Sequence, residues 1–324
     1  MATPTTAPAT LRPDLGGSFM EFDLEMNQRG FIAQRVLPVF NAAKATGNFG
    51  IIPIEQLLKT PDTERAPGSG YARGKFTFTP ATYVTQEHGY EEPIDDNEAK
   101  LYADYFDAEM VSTMRAYNAV LLNAEKRAAA AVFNATTWTN HTTAVTNEWS
   151  DYADATPLTD VETAAQAVFA ASGLWPNSMT INRKVFRNLR MCAQVQAAIA
   201  SSGAGSSIKA GDITVQQLAQ AFDLDEIIVG GAAQDTALEG QSAVVASVWS
   251  DEYAMIGRIV TSNDIREPGI GRTFHWSEDG STENGTVETY RDERIRGDVV
   301  RVRHQVGEKI LYAEAGHLLS NITE

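Results

Sequence analysis

A single cysteine, Cys192, in 324 residues excludes an intrachain disulfide framework and any structural zinc held by several thiolates. Alone it reads as a small apolar residue on a helix. The chain has no run of about 18 apolar residues and no basic-then-apolar N-terminus, so neither a membrane-spanning helix nor a secretory signal is expected. Positive charge is also scarce. There are 26 Lys plus Arg against 42 Asp plus Glu, a formal net charge of −16 and a pI near 4.8. Affinity for nucleic acid comes from basic side chains that release phosphate counterions. A protein whose main task is to grip DNA is therefore not expected, although one that faces DNA without gripping it is compatible. With 43% hydrophobic and 21% charged residues, the composition is that of an ordinary globular protein. The length allows one large domain or two of ordinary size. The expectation is a soluble protein made in a reducing cytosol, with a loose arm at the Pro- and Thr-rich MATPTTAPAT.

Recognisable catalytic chemistry is missing too. No G-x-x-x-x-G-K-[ST] loop or G-x-S-x-G elbow occurs, and Gly269-Ile270-Gly271-Arg272 is too short for a G-x-G-x-x-G phosphate cradle. The histidines His88, His141, His275, His304 and His317 are scattered singly. Glu314 and His317 have the E-x-x-H spacing of a carboxylate-bridged metal helix, but no second copy of the motif accompanies them. The acids Glu91, Glu92, Asp95, Asp96 and Glu98 lack the spaced loop of a hard-cation site, and they suit a helix N-terminus, where the dipole favours negative charge. No catalytic residue, cofactor site or metal site is expected.

What is present is pattern. An amphipathic stretch begins at Phe19 and runs to about Val39, with breaks at Pro38 and Gly47; Ile51 to Leu58 reads as a strand or short helix. A turn-rich polar segment, TPDTERAPGSGYARG, follows from Thr60 to Gly74. Lys75 to Thr85 alternates as a strand, with Phe76 and Phe78 on one face. Residues 51–90 thus read as a long two-stranded excursion with a polar tip, too poor in apolar positions to hold itself. From Glu98 to about Ala131 there is neither Gly nor Pro. Tyr102, Phe106, Met110, Met114, Tyr117, Leu121, Ala124 and Ala128 form one apolar stripe, predicting a helix of roughly 50 Å.

A Thr- and Asn-rich connection from Trp138 to Pro157 marks a domain boundary. Beyond it, Thr159 to Glu162 reads as a capping box for a helix to about Ala171, stopped by Gly173. Met179 to Ile181 reads as a short strand, and Asn182 as the cap of a helix running to Ile199. SSGAGSSIKAG (201–211) reads as a flexible loop, and Thr214 opens a second capping box. Glu226 to Gly230 and Ser242 to Trp249 read as buried strands, making 157–260 a mixed α and β unit. Strand character returns from Thr286 to Tyr312. There Arg291, Arg294, Arg296, Arg301 and Arg303 interleave with Asp292, Glu293 and Asp298. A nucleic-acid patch would be more single-signed, so these arginines are expected to pair ionically along an exposed or subunit-facing strand.

The order of these parts resembles the major capsid proteins of tailed bacteriophages, the Hong Kong phage-type fold. The resemblance rests on the excursion IIPIEQLLKTPDTERAPGSGYARGKFTFTPATYVTQ and the acid-led helix EEPIDDNEAK through NAEKRAAAAVF. It extends to the run from Trp175 to Leu189, LAQAFDLDEIIVGGA, VWSDEYAMIG and the closing RVRHQVGEKILYAEAGHLLSNI. It implies an α+β fold with an N-terminal arm (1–50), an extended loop (51–90), a peripheral domain with a spine helix (91–156), an axial domain (157–284) and closing strands of the peripheral domain (285–324). It implies a structural, non-enzymatic subunit that forms pentamers and hexamers of an icosahedral shell around double-stranded phage DNA, without sequence-specific contacts and without a membrane. A separate scaffold protein, a portal and a decoration protein are the implied partners, and the virion, assembled in the bacterial host cytoplasm, is the implied location.

Some members of that family carry a removable N-terminal scaffolding segment; here the fold is expected to start within the first 50 residues. Others cross-link a lysine to an asparagine; Lys59 and Lys75 lie on the loop, but no partner asparagine is assignable. Contacts between subunits are expected at Lys59, Arg65, Arg73 and Lys75 on the loop, at Glu91 and Glu92, and at Arg291 and Arg294. Three alternatives stand beside this reading: an encapsulin-like compartment on the same fold, an α/β enzyme whose long helix and loop form a lid, and a virion neck or tail component.

Overall fold

The structure is a computed structural model that describes residues 10–11, 30–51, 53, 58–75, 77–102, 108–200 and 210–323. Most of the amphipathic stretch from Phe19, the middle of the Ile51–Leu58 segment, positions 103–107 of the expected long helix and nearly all of the expected 201–211 loop lie outside the described residues.

In chain order the elements are β1 (Thr10–Leu11), α1 (Ala33–Val36), β2 (Val39–Ala42), β3 (Thr46–Ile51), β4 (Thr79–Val84), β5 (Gln86–Asp95), α2 (Asp96–Tyr102), α3 (Ala108–Val132), β6 (Thr142–Ala144) and α4 (Pro157–Ser172). They continue with β7 (Ser178–Asn182), α5 (Arg183–Leu189), α6 (Ala193–Ile199), α7 (Val215–Ala221), β8 (Glu226–Gly230), β9 (Ala233–Asp235) and β10 (Val245–Ser247). The last are β11 (Ala254–Gly257), β12 (Gly271–Trp276), β13 (Thr286–Asp292), β14 (Gly297–Ile310) and β15 (Gly316–Ser320).

Two larger sheets result. One has the order β1-β13-β14-β12-β2, with β5 also on β14. Val306 pairs with His275 of β12 and with Gln86 of β5. A strand has two edges, so β5 runs along one edge of β14 while β13 and β12 follow each other along the other. The period of two in β14 sorts its side chains. Val300, Val302, His304 and Val306 are buried on one face, and Arg301, Arg303 and Gln305 are half-buried on the other. The second sheet has the order β6-β15-β11-β7-β8. Every residue of β7 and β11 is buried, as in strands covered on both faces.

Helix α3 joins the two sheets. It is 25 residues long, roughly 37 Å at 1.5 Å per residue. Ala116, Tyr117, Val120 and Leu121 pack with Val287, Val300 and Val302 of the first sheet. Two and three turns later Ala128, Ala129 and Val132 pack with Ile228, Met255 and Leu318 of the second. That sheet's opposite face, with Met179, Ile181 and Ile256, is covered by Val161 and Ala164 of α4, Val185 and Leu189 of α5, Val195 of α6 and Leu218 of α7.

Between the two apolar stretches of α3 sits Glu125, buried. Its carboxylate accepts from Ile32 N and Ala33 N at 2.8 Å each, and from Trp249 Nε1 at 2.6 Å. Burial pushes its pKa up, against the lowering effect of these three donors. Engaged by all three donors, it ties the first turn of α1 and a loop of the second sheet to α3.

Several expectations need correction. α4 begins at Pro157, with Pro at the first helical position and no side-chain cap at Thr156; the fixed φ of proline starts the helix ahead of the supposed box at Thr159. Gly173 does end it, in the left-handed region at φ 69°. The helix expected from Asn182 to Ile199 is two helices, α5 and α6, although Asn182 caps the first by accepting from Lys184 N. The capping box at Thr214 and Gln217 is present. Ser242 to Trp249 is not a buried strand: only Val245–Ser247 pairs, with β9, and Val244 and Val245 are exposed while Trp249 is buried. The Trp138–Pro157 connection is built into the second sheet through β6, and Trp138 and Trp149 are fully buried. Met110, placed on the apolar stripe of α3, is 42% exposed.

The carboxylate at position 125 tests this arrangement. Glu125→Ala leaves three buried donors without a partner, each costing about 1–3 kcal/mol, so the urea midpoint should fall by an amount worth roughly 3 kcal/mol or more. Glu125→Gln, which keeps an acceptor oxygen, should lose about half as much.

Candidate functional site: a charged sheet face and an extended ribbon

The face of the first sheet turned away from α3 carries a ladder of opposite charges, because β14 alternates and its neighbours bring acids into register. Glu91 pairs across from Arg301, and Glu288 faces the same residue from the other edge. Arg301 and Arg303 both reach Glu288, the second at 2.9 Å. Arg303 also meets Asp279 at 2.9 Å, and Arg301 meets Glu91 at 3.6 Å. Burial raises the pKa of Glu288 and of Asp279; the arginine bonds, and for Asp279 those from Ser281, overcome it and hold both carboxyls below their usual range.

At the end of the sheet Arg291 grips Asp96 with two bonds of 2.6 and 2.7 Å, a bidentate geometry that suits guanidinium and carboxylate. That bond lowers the Asp96 pKa. Asp95 accepts from Asn97 N at 2.7 Å and so caps α2. The acid cluster is thus divided between strand ion pairs and a helix start. Among the described residues no group of three or more His, Cys, Asp or Glu could hold a metal. Glu314 lies in a single 3₁₀ turn and His317 in β15, so the two do not share a helix face.

Behind the ladder lies a group of histidines. His304 is 1% exposed, receives no bond at Nε2 among the described residues, and meets the His88 ring edge-on at 5.9 Å. His275 Nδ1 contacts Asn41 Oδ1 at 2.9 Å. Burial lowers the pKa of all three, that of His304 to about 4.

The second feature is the ribbon β3–β4, paired from Thr46↔Val84 to Ile51↔Thr79. Its root is aromatic. Tyr83 stacks on Phe274 at 4.3 Å with planes 4° apart, and Phe49 and Phe40 lie against the same ring. Gly47 is required there, since a Cβ would stand 2.6 Å from the Tyr83 ring. Beyond the root every residue from 58 to 75 is exposed. The structure shifts the excursion's limits: pairing starts at Thr46, and the strand after Thr85 leaves the ribbon to become β5 on β14. Phe78 precedes β4 and is 68% exposed. Alternation alone did not reveal where one strand stops and the next changes partner.

The eight residues expected at subunit contacts fall into two groups. Lys59, Arg65, Arg73 and Lys75 are exposed on the tip, where Arg65 stacks over Tyr71 at 4.7 Å and donates to Ser69 O at 2.7 Å. Glu91, Glu92, Arg291 and Arg294 are engaged within the chain, Glu92 with Arg115 at 3.2 Å and Arg294 with Asp292 at 2.9 Å. Sequence reading missed Glu125, Glu288 and His304. The period of two in β14 signalled the last two, since it places position 304 with the valines and position 303 with the acids.

The fold is that of virus-type protein shells. A phage-related protein from Bordetella bronchiseptica RB50 superposes with a TM-score of 0.69 at 21% identity, covering 98% of each chain. The capsid of cyanophage P-SCSP1u gives 0.58 at 11% identity over 88% of this chain and 86% of that one. The SrpI encapsulin of Synechococcus elongatus PCC 7942 gives 0.53 at 10% identity, covering 100% and 94%. In sequence, the chain is 24% identical over 293 residues to the major capsid protein of Pseudomonas phage JBD67, and 27% identical over 304 residues to that of Burkholderia phage BcepMu. Each match covers 90% of this chain and 91% of the relative. No family profile matches the chain.

Acidification should expose the histidine group. Unfolded, His304 takes a proton near its ordinary 6.5; folded, only near 4. Stability is therefore whole above about pH 6.5, falls as the pH drops toward 4 and levels off below, a loss of about 3 kcal/mol from this residue. His304→Gln should flatten that part of the profile in urea titrations run at successive pH values; an unchanged profile would remove His304 as its source.

Proposed function

We propose that this chain is a major capsid protein of a tailed phage, a structural and non-enzymatic subunit that builds an icosahedral shell of pentamers and hexamers around double-stranded DNA. The observation that carries the proposal is the agreement of fold and sequence over almost the whole chain, with relatives that match across 90% of it and bear that name. The ribbon supports the same reading. A long exposed tip anchored only at its root gains nothing for a lone molecule, whereas a neighbouring subunit would give it a surface to cover.

In this proposal residues 1–50 are the N-terminal arm and 51–90 the extended loop. Residues 91–156 and 285–324 form the peripheral domain, and 157–284 the axial domain that meets its copies at the five- and six-fold centres. Sheet membership crosses the limit between the peripheral and axial segments where β12 pairs with β14 and β15 with β11. Lys59, Arg65, Arg73 and Lys75 would meet acidic surface of a neighbouring copy, an attraction favoured by the net charge of −16. Glu91 would contribute from the ladder face, Arg291 and Arg294 from the end of the sheet, and Glu92 with Arg115 from beside α3, by exchanging partners across the contact. A scaffold protein and a portal would act during assembly in the host cytoplasm, a decoration protein would bind the finished shell, and the virion would be the final location. An encapsulin-like compartment is the second reading, favoured by the encapsulin match.

Electron microscopy of the purified chain, with light scattering for mass, tests the proposal: closed shells or free five- and six-fold rosettes are expected. Deleting residues 60–74 should leave a folded chain with an unchanged urea midpoint that no longer forms shells. Normal shells from the deletion would remove the ribbon from the assembly contact.

A further inference from the structure

The expectation that a nucleic-acid patch should be single-signed rejects the arginines of β13 and β14, and the same criterion selects a different segment. Arg183, Lys184, Arg187 and Arg190 fall within eight residues with no acid among them. Positions 183, 187 and 190 share one face of α5 and its C-terminal end, while Val185, Phe186 and Leu189 point into the core. The basic side chains line a groove of about 670 Å³, together with Tyr152 and Met191.

The groove is held in shape. The guanidinium groups of Arg183 and Arg190 lie 5.6 and 5.5 Å from the centre of the Phe186 ring, and Arg190 also donates to the carbonyl of Ala210. Among the described residues the ion pair made by this group is Lys184 with Asp251 at 2.7 Å. Among the described residues Arg183, Arg187 and Arg190 form no ion pair, in a chain whose net charge is −16. The amides at the groove are engaged, Asn182 with Lys184 N and Trp249 O, Asn188 with Tyr152 Oη. That leaves cations without groups set aside for reading bases.

We infer that this groove binds phosphate groups, through Arg183, Arg187 and Arg190, as a sequence-independent anchor for a phosphate-bearing polyanion. From 183 to 190 the face extends roughly 10 Å along the helix axis, a length over which one strand of a duplex presents about three phosphates. Three guanidinium forks match three phosphates better than an isolated carboxylate on a second copy of the chain. DNA as the source of those phosphates rests on the proposed shell function; a free nucleotide or inorganic phosphate would use the same chemistry.

The test compares the full-length chain with Arg183→Gln/Arg187→Gln, two exposed positions, after checking that the urea midpoint is unchanged. Anisotropy of a labelled DNA duplex is measured over a salt series, and ATP and inorganic phosphate are titrated separately. With DNA as the ligand, the variant binds about tenfold or more weakly, and the slope of log affinity against log salt shrinks by about 1.8. With a free phosphate compound as the source, saturable binding of ATP or inorganic phosphate is lost in the variant while the duplex is unaffected. If the variant binds DNA, ATP and phosphate as the parent does, the inference is overturned. If it does so while losing shells, the groove is a contact between copies. Shell formation, by the parent chain alone and with its scaffold protein, is scored independently, so DNA binding through the groove without shells in either case would sink the capsid reading and leave the groove standing.

Discussion

The carboxylate of Glu125 stands where three parts of the molecule meet. It accepts from the backbone at Ile32 and Ala33 and from the indole of Trp249, and it rides on α3 between the stretch that packs the first sheet and the stretch that packs the second. A buried carboxylate is unfavourable unless its oxygens are fully bonded. The three donors can satisfy it only when α1, α3 and the Trp249 loop are all in place. The helix thereby carries a polar lock as well as an apolar stripe, and the two sheets are positioned by a shared beam.

The contrast between the two sheets follows from what covers them. The second lies between α3 on one face and the helices α4 to α7 on the other, so its strands β7 and β11 are buried at every residue. The first is covered by α3 on one face alone. Its other face carries Arg301, Glu288 and Glu91 in register, where cross-strand pairs of opposite sign can form, with Asp279 of the β12–β13 connection against Arg303. Partly exposed pairs of this kind contribute modestly to stability. Their arrangement instead gives the proposed subunit a patterned surface of both signs, able to distinguish one orientation of a neighbour from another.

The ribbon shows a similar division between root and tip. Tyr83, Phe49 and Phe40 fasten the root on Phe274, while the tip from 58 to 75 remains exposed. The chain devotes its aromatic contacts to fixing the direction in which the tip leaves and leaves the tip's charge unspent. The groove on α5 is built on the same logic, with Phe186 buried to fix the guanidinium groups that line the surface. In both places an apolar ring sets where a cation points.

Local features were legible in the sequence where a local rule decides them. The helix over Ala108–Val132 follows from a Gly- and Pro-free stripe, the strand character of 286–312 from its valines, the caps at Asn182 and Thr214 from side chains that bond their own backbone, and the stop at Gly173 from its freedom at positive φ. The order of these parts was enough to suggest the shell fold. What tertiary structure decided is partnership across long separations. Glu125 is one charge within the run NAEKRAAAAVF; the donors bonded to it come from about 90 residues before and 124 residues after it in the chain. The alternation of β14 says that one face is apolar, but only packing says that β13 and β12 share an edge and that β5 takes the other. Ser242 to Trp249 has the composition of a core strand and lies largely at the surface, because apolar composition measures what burial would gain and not whether a neighbour is there to supply it.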